Sequence, residues 1–135
     1  MYAPATKGNC PWQQEREDPF LQMNGGEVYK FAVNAITTGA NEAMEKTGYT
    51  ASQIDHVMLH QANLRIIEAA QKKLGIPAER YGVNIHETGN TSAASIPILL
   101  DLYNRSGKLK QNDLILMSGF GAGLVTGTAL LRWNG

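Results

Sequence analysis

Apolar residues recur along this chain first with a helical and then with a strand period. Val28, Phe31, Ala32, Ala35, Ile36, Gly39 and Ala43 follow the i, i+3, i+4, i+7 rule and form one stripe. The pattern predicts a helix that starts after Asn24 and stops at Gly48, a residue suited to a left-handed cap. Thr50-Ala51-Ser52-Gln53 reads as a capping box opening a short helical turn. Residues 54–60, Ile-Asp-His-Val-Met-Leu-His, read as a central strand, since few charges interrupt them. A second helix fits residues 62–74, with Leu64, Ile67, Ala70 and Leu74 turned inward and Gly75 and Pro77 ending it. A short strand is expected over 81–85. A third helix is expected over about 91–105, with Pro97 in its first turns and Gly107 after its end. Residues 113–118 read as a strong strand and 120–123 as a tight glycine-rich turn. A last strand over 124–133 completes an antiparallel hairpin.

Helices and strands therefore alternate, which predicts an α/β layered domain with a mixed sheet. Residues 1–19 carry no sustained period and are expected to form an irregular arm or connector; the domain proper runs over 20–135.

Composition narrows the function. The 12 basic and 12 acidic residues cancel, so nothing points to broad nucleic-acid binding. No apolar run approaches the ~20 residues that cross a bilayer, and no signal peptide is visible at the start, so no membrane partner is expected. The single cysteine, Cys10, permits no internal disulfide, and a cytoplasmic location is the default. Charged residues make up only 18%, a hint that another subunit covers part of the surface. No metal-ligand spacing is present.

Candidate chemistry sits in three short segments at element ends, where open α/β sheets place their sites. They are His60-Gln61-Ala62-Asn63, Gly89-Asn90-Thr91-Ser92-Ala93-Ala94-Ser95, and Phe120-Gly121-Ala122-Gly123. Each has an ordinary explanation taken alone: a satisfied polar histidine, a helix N-cap, a turn needing glycine. Gly119-x-Gly121-x-Gly123 lacks the following helix of a dinucleotide site. His56 and His86 are weaker candidates still, His56 sharing a strand face with His60 and His86 reading as a loop residue.

Together, and in this order, the segments resemble those of β-ketoacyl-acyl-carrier-protein synthase III enzymes. The likeness is carried by the string from His60 to Ile67, the string from Gly89 to Pro97, the glycine-rich turn at 119–123, Thr126-Gly127 and the ending Leu130-Leu131-Arg132-Trp133. Met23-Asn24-Gly25-Gly26-Glu27-Val28 resembles the segment that opens the family's C-terminal half. The resemblance implies one half of a thiolase-like fold, usually dimeric. It also implies an acyltransferase that condenses an acyl-CoA primer with malonyl-acyl carrier protein to start fatty acid synthesis. No cofactor is implied, because the substrates themselves carry CoA and phosphopantetheine.

By the same resemblance His60 and Asn90 are the His and Asn of a Cys-His-Asn triad, whose Cys lies in an N-terminal half or subunit. A backbone N–H in the glycine-rich turn, that of Ala122, is expected to help form an oxyanion hole, with Phe120 and Gly121 walling the site. Asn63 is expected to touch the pantetheine arm. Arg65, with Lys72 and Lys73, is expected to dock the acyl carrier protein. Cys10 stands before Pro11 in a segment read as irregular, whereas a reactive thiolate wants a helix N-terminus or a cationic neighbour, and Asn9-Cys10-Pro11-Trp12 is unlike the small-residue stretch that holds the family's nucleophile. The isolated chain is therefore expected to be inactive alone and to self-associate. Two other readings stay open: half of a different acyl-condensing enzyme, or a non-catalytic assembly module with vestigial site residues.

Overall fold

The structure, a computed structural model, describes residues 23–135. The expected arm over 1–19, and Cys10 with it, lies outside the described residues. Helix α1 spans Gly25–Thr47. The side chain of Asn24 accepts the N–H of Glu27 at its start, and Gly48, at φ 75°, closes its end through an N–H donated to the carbonyl of Met44. The buried face runs through Ala32, Val33, Ile36, Thr37 and Ala40, centred roughly 90° round the helix from the predicted stripe, of which Ala32 and Ile36 are buried and Val28, Phe31, Ala35, Gly39 and Ala43 only half-buried. Thr37 is tolerated there because its hydroxyl donates to the Val33 carbonyl at 2.9 Å.

Strand β1 (His56–Leu59) follows a 3₁₀ turn in which Gln53 Oε1 accepts the N–H of Thr50 at 2.9 Å, as the capping pattern predicts. Helix α2 spans Leu64–Leu74 and ends at Gly75, φ 66°. A short helix α3 (Ile85–Thr88) and a longer α4 (Ser95–Arg105) precede β2 (Leu114–Gly121) and β3 (Val125–Arg132). The described sheet has the order β1-β2-β3, with β1 and β2 parallel and β2 and β3 antiparallel.

Alternation along the strands splits the core in two. Val57, Leu59, Leu114 and Leu116 pack against α1 and α2, together with Ala32, Ile36 and Ile67. Met58 and Ile115 face the other way, against Leu99 of α4 and Leu109. Both sheet faces are covered, which is why β1 reads as a nearly continuous apolar run. Strand β3 is an edge among the described residues. Its Trp133 end donates N–H to the Asp113 carbonyl at 2.9 Å, so odd-numbered residues bond to β2. Thr126, Thr128, Leu130 and Arg132 therefore turn their backbone groups outward.

Three expectations need correction. The segment 81–85 is not a strand: Tyr81 makes an isolated bridge to Val57 and the chain then turns into α3, which also takes His86 out of a loop. Leu64 is 45% exposed, because α2 buries the arc through Ile66, Ile67, Ala70 and Leu74 and Leu64 lies about 100° round from its centre. The third predicted helix is two pieces: a 3₁₀ turn over Ser92–Ala94, then α4. Pro97 stands third in α4, where its missing N–H has no intrahelical acceptor to lose.

Candidate functional site

The parallel strands β1 and β2 end beside one another, and their C-terminal ends open onto a pocket of about 950 Å³. His60, the residue after β1, is held there by its backbone N–H donating to the Ser118 carbonyl at 2.9 Å. Its ring packs edge-on against Phe120, with centroids 5.1 Å apart. Its Nδ1 lies 2.6 Å from the hydroxyl of Ser95, the first residue of α4. Burial pushes the His60 pKa down from the ordinary 6.5, because the half-buried ring disfavours a charge.

Asn90 lines the same pocket from the loop before α4. Its Oδ1 accepts the N–H of Ser92 at 2.9 Å, which orients the amide and leaves the NH₂ without a partner among the described residues. Ser92 takes φ 52° to allow this turn. Asn63 also lines the pocket while capping α2, its Oδ1 accepting the Arg65 N–H at 2.9 Å. Phe120, Gly121 and Ala122 line it as well. Among the described non-glycine residues only Ser92 and Asn112 have positive φ, so Ala122 stays outside the region that favours glycine. The turn itself falls on residues 122–124, one to two positions beyond the predicted one, because β2 runs through Phe120 to Gly121. No lysine, arginine, aspartate or glutamate among the described residues lines the pocket.

The other named residues lie elsewhere. Arg65 and Lys72 are exposed seven residues apart on α2, hence on nearly the same face of it. Lys73 reaches across to α1 and donates to Asn34 Oδ1 at 3.1 Å. His56, at the start of β1, pairs with Asp113 at 3.0 Å and packs against Tyr103. His86 is exposed beside Glu87.

Two residues without an assigned role in the sequence reading turn out to build the site. Gln61 is completely buried. Its amide nitrogen donates to the carbonyls of Leu59, at 2.8 Å, and Gly82, at 3.3 Å, and its Oε1 accepts the Asn84 N–H at 3.1 Å. It thus ties the end of β1 to the segment leading to Asn90. Ser95, 2% exposed, joins α4 to His60. Both stand inside the recognisable strings, but nothing in their spacing announces a buried polar strut.

Several solved structures share this fold. The β-ketoacyl-[acyl carrier protein] synthase III of Thermus thermophilus superposes with a TM-score of 0.84 at 47% identity, over 87% of this chain and 37% of that one. The 3-oxoacyl-(acyl carrier protein) synthase III of Pseudomonas aeruginosa PAO1 gives 0.83 at 38% identity, over 87% and 36%. The domain is thus half of a thiolase-like fold. The family model for the 3-oxoacyl-[acyl-carrier-protein (ACP)] synthase III C terminal matches residues 44–133, and the chain belongs to that family. Among curated proteins, the β-ketoacyl-[acyl-carrier-protein] synthase III of Clostridium novyi (strain NT) is 49% identical over 114 residues, 84% of this chain and 35% of its own length. That of Coxiella burnetii (strain Dugway 5J108-111) is 50% identical over 121 residues, 90% of this chain and 38% of its own length. The chain therefore spans a little over a third of the curated relatives it matches.

Proposed function

We propose that this chain supplies the decarboxylating half of a 3-oxoacyl-acyl-carrier-protein synthase III, an acyltransferase that joins an acyl-CoA primer to malonyl-acyl carrier protein. The reading is carried by one observation: His60 and Asn90 line a single pocket whose described walls bear no charged side chain. Decarboxylation of a malonyl thioester breaks the bond between C2 and the carboxylate and releases CO₂. The electron pair left behind spreads onto the thioester oxygen as an enolate. Neutral N–H donors aimed at that oxygen stabilise the developing charge without surrendering a proton to it. A histidine whose charged form burial disfavours and an asparagine NH₂ without an acceptor among the described residues suit that task.

The enolate carbon then attacks an acyl group carried on a cysteine of the part of the enzyme that this chain does not span. A C–C bond forms, and the tetrahedral oxyanion collapses to expel the thiolate. The Ala122 N–H, in the turn between β2 and β3, is assigned to that oxyanion. Phe120 shields the reaction from water. Asn63 meets the pantetheine arm, and Arg65 with Lys72 and Lys73 receives the acidic carrier protein. No cofactor enters this scheme. The working assembly is a dimer of complete enzymes in the cytoplasm.

The test joins this chain to the N-terminal portion of the Clostridium novyi relative and measures CO₂ release from malonyl-acyl carrier protein. His60→Ala and Asn90→Ala should each lower the rate roughly 10²–10³-fold, the usual effect of removing one oxyanion donor, while cysteine acylation by acetyl-CoA persists. Near-parental decarboxylation in both variants would overturn the assignment. The chain on its own should give no acetoacetyl product.

A further inference from the structure

We infer that Ser95 is a positioning residue that fixes His60 as its Nε2–H tautomer, so that the nitrogen left for the pocket is a hydrogen-bond donor. The catalytic consequence rests on the function proposed above; the tautomer itself does not.

The hydrogen bonds of one buried hydroxyl decide the tautomer. Ser95 is 2% exposed, so solvent does not complete its hydrogen bonding. Two polar groups of the described chain bond to its Oγ: the Gln61 backbone N–H at 3.3 Å and His60 Nδ1 at 2.6 Å. The Gln61 N–H can only donate. A serine hydroxyl offers one hydrogen and two lone pairs. If Nδ1 carried the imidazole proton, the hydroxyl would accept twice and its own hydrogen would be stranded in the interior. With Nδ1 bare, every group is satisfied: Gln61 N–H donates to Oγ, and Oγ–H donates to Nδ1. The imidazole proton then sits on Nε2, which has no hydrogen-bond partner among the described residues and belongs to a side chain lining the pocket. The bond from Gln61 also polarises the hydroxyl and strengthens its own donation.

Geometry pins each partner. His60 is held by the Ser118 carbonyl and by the Phe120 ring, and Gln61 by its bonds to Leu59 and Gly82. Ser95 opens α4, whose Leu99 is buried against the sheet. Ring orientation is thereby coupled to the seating of a whole helix. A protonated imidazole would have to donate from Nδ1 and strand the hydroxyl hydrogen again, so the same serine opposes protonation, in the same direction as burial does.

The test is a long-range ¹⁵N–¹H correlation spectrum of the full chain with labelled histidine, recorded above the imidazole titration. The expected pattern for His60 is an unprotonated Nδ1 shifted by an accepted hydrogen bond, and a protonated Nε2. In Ser95→Ala the Nδ1 resonance should move to the position of a free unprotonated nitrogen, while His56 and His86 stay in place and report that the fold persists. A protonated Nδ1 in the parent chain overturns the inference whether or not the variant folds. So does an unmoved Nδ1 resonance in a folded Ser95→Ala. In the joined enzyme, Ser95→Ala should lower decarboxylation through kcat with KM unchanged. A shifted Nδ1 with unchanged decarboxylation would leave the tautomer assignment standing and sink the donor role proposed for His60.

Discussion

Gly39 provides a sharp test of how α1 meets the sheet. A Cβ built at this position would lie 3.1 Å from the Cβ of Thr128 and would collide with its Oγ1. Thr128 cannot simply rotate away, since its Cβ is fixed to the backbone and its hydroxyl lies 2.8 Å from that of Ser118. Two effects oppose one another in Gly39→Ala. Helix propensity favours alanine by about 1 kcal/mol in a helix interior. Overpacking against a fixed neighbour costs about 1–3 kcal/mol. The contact should therefore win or break even, a net loss of roughly 0–2 kcal/mol. The diagnostic quantity is the difference between backgrounds. Thr128→Ala removes the closest atom but leaves its Cβ, so Gly39→Ala should cost at least about 0.5 kcal/mol less there, within the usual range for touching residues. Urea unfolding followed by far-ultraviolet circular dichroism gives all four free energies from the midpoints, provided the slopes agree. If Gly39→Ala stabilises both backgrounds equally, α1 does not ride on β3 as described.

Other perturbations address the site and its surroundings. Because burial lowers the His60 pKa, the unfolded chain takes up that proton first; stability should be intact above pH 6.5 and fall as the pH drops from there toward the lowered folded value. His60→Gln should remove that component, and urea midpoints measured across the interval would contradict it if the two chains tracked one another. Arg65→Glu in the joined enzyme should weaken use of malonyl-acyl carrier protein, mainly through association rate and in a salt-dependent way, far more than use of malonyl-CoA. Equal losses with both substrates would make Arg65 structural. The isolated chain should self-associate, since Leu124 and Val125 are 46% and 60% exposed at the start of β3, an edge strand among the described residues. Light scattering that reports a monomer at every concentration, without binding of a hydrophobic dye, would refute this.

Most of the fold was legible because its signals are local. Asn24 and Gly48 mark the ends of α1 as capping chemistry requires, and Gly75 marks the end of α2. The run 54–60 contains β1 because a strand covered on both faces cannot alternate with polar residues. What failed depended on partners distant in sequence. Residues 81–85 have strand composition, and Gly82 N–H does donate to the Val57 carbonyl at 2.9 Å, as a strand would. The ladder stops there because the next outward donor, the N–H of Asn84, is taken by the side chain of Gln61, and the chain turns into α3.

The same residue explains why the site was only half readable. His60, Asn63 and Asn90 could be singled out because polar side chains at element ends invite a functional question, and the pocket does collect all three. Their spacing along the chain says nothing of what holds them together. That work falls to Gln61 and Ser95, which by composition should be surface residues and are instead among the most buried side chains. A buried amide making three hydrogen bonds and a buried hydroxyl making two are expensive to leave half-satisfied, so each admits few arrangements of its neighbours. Gln61 ties the end of β1 to Gly82 and Asn84, just ahead of the short helix that leads to Asn90, and Ser95 ties the His60 ring to the start of α4. Substituting either by an apolar residue of similar size should leave a core that still packs, while His60 and Asn90 lose their fixed placement in the pocket.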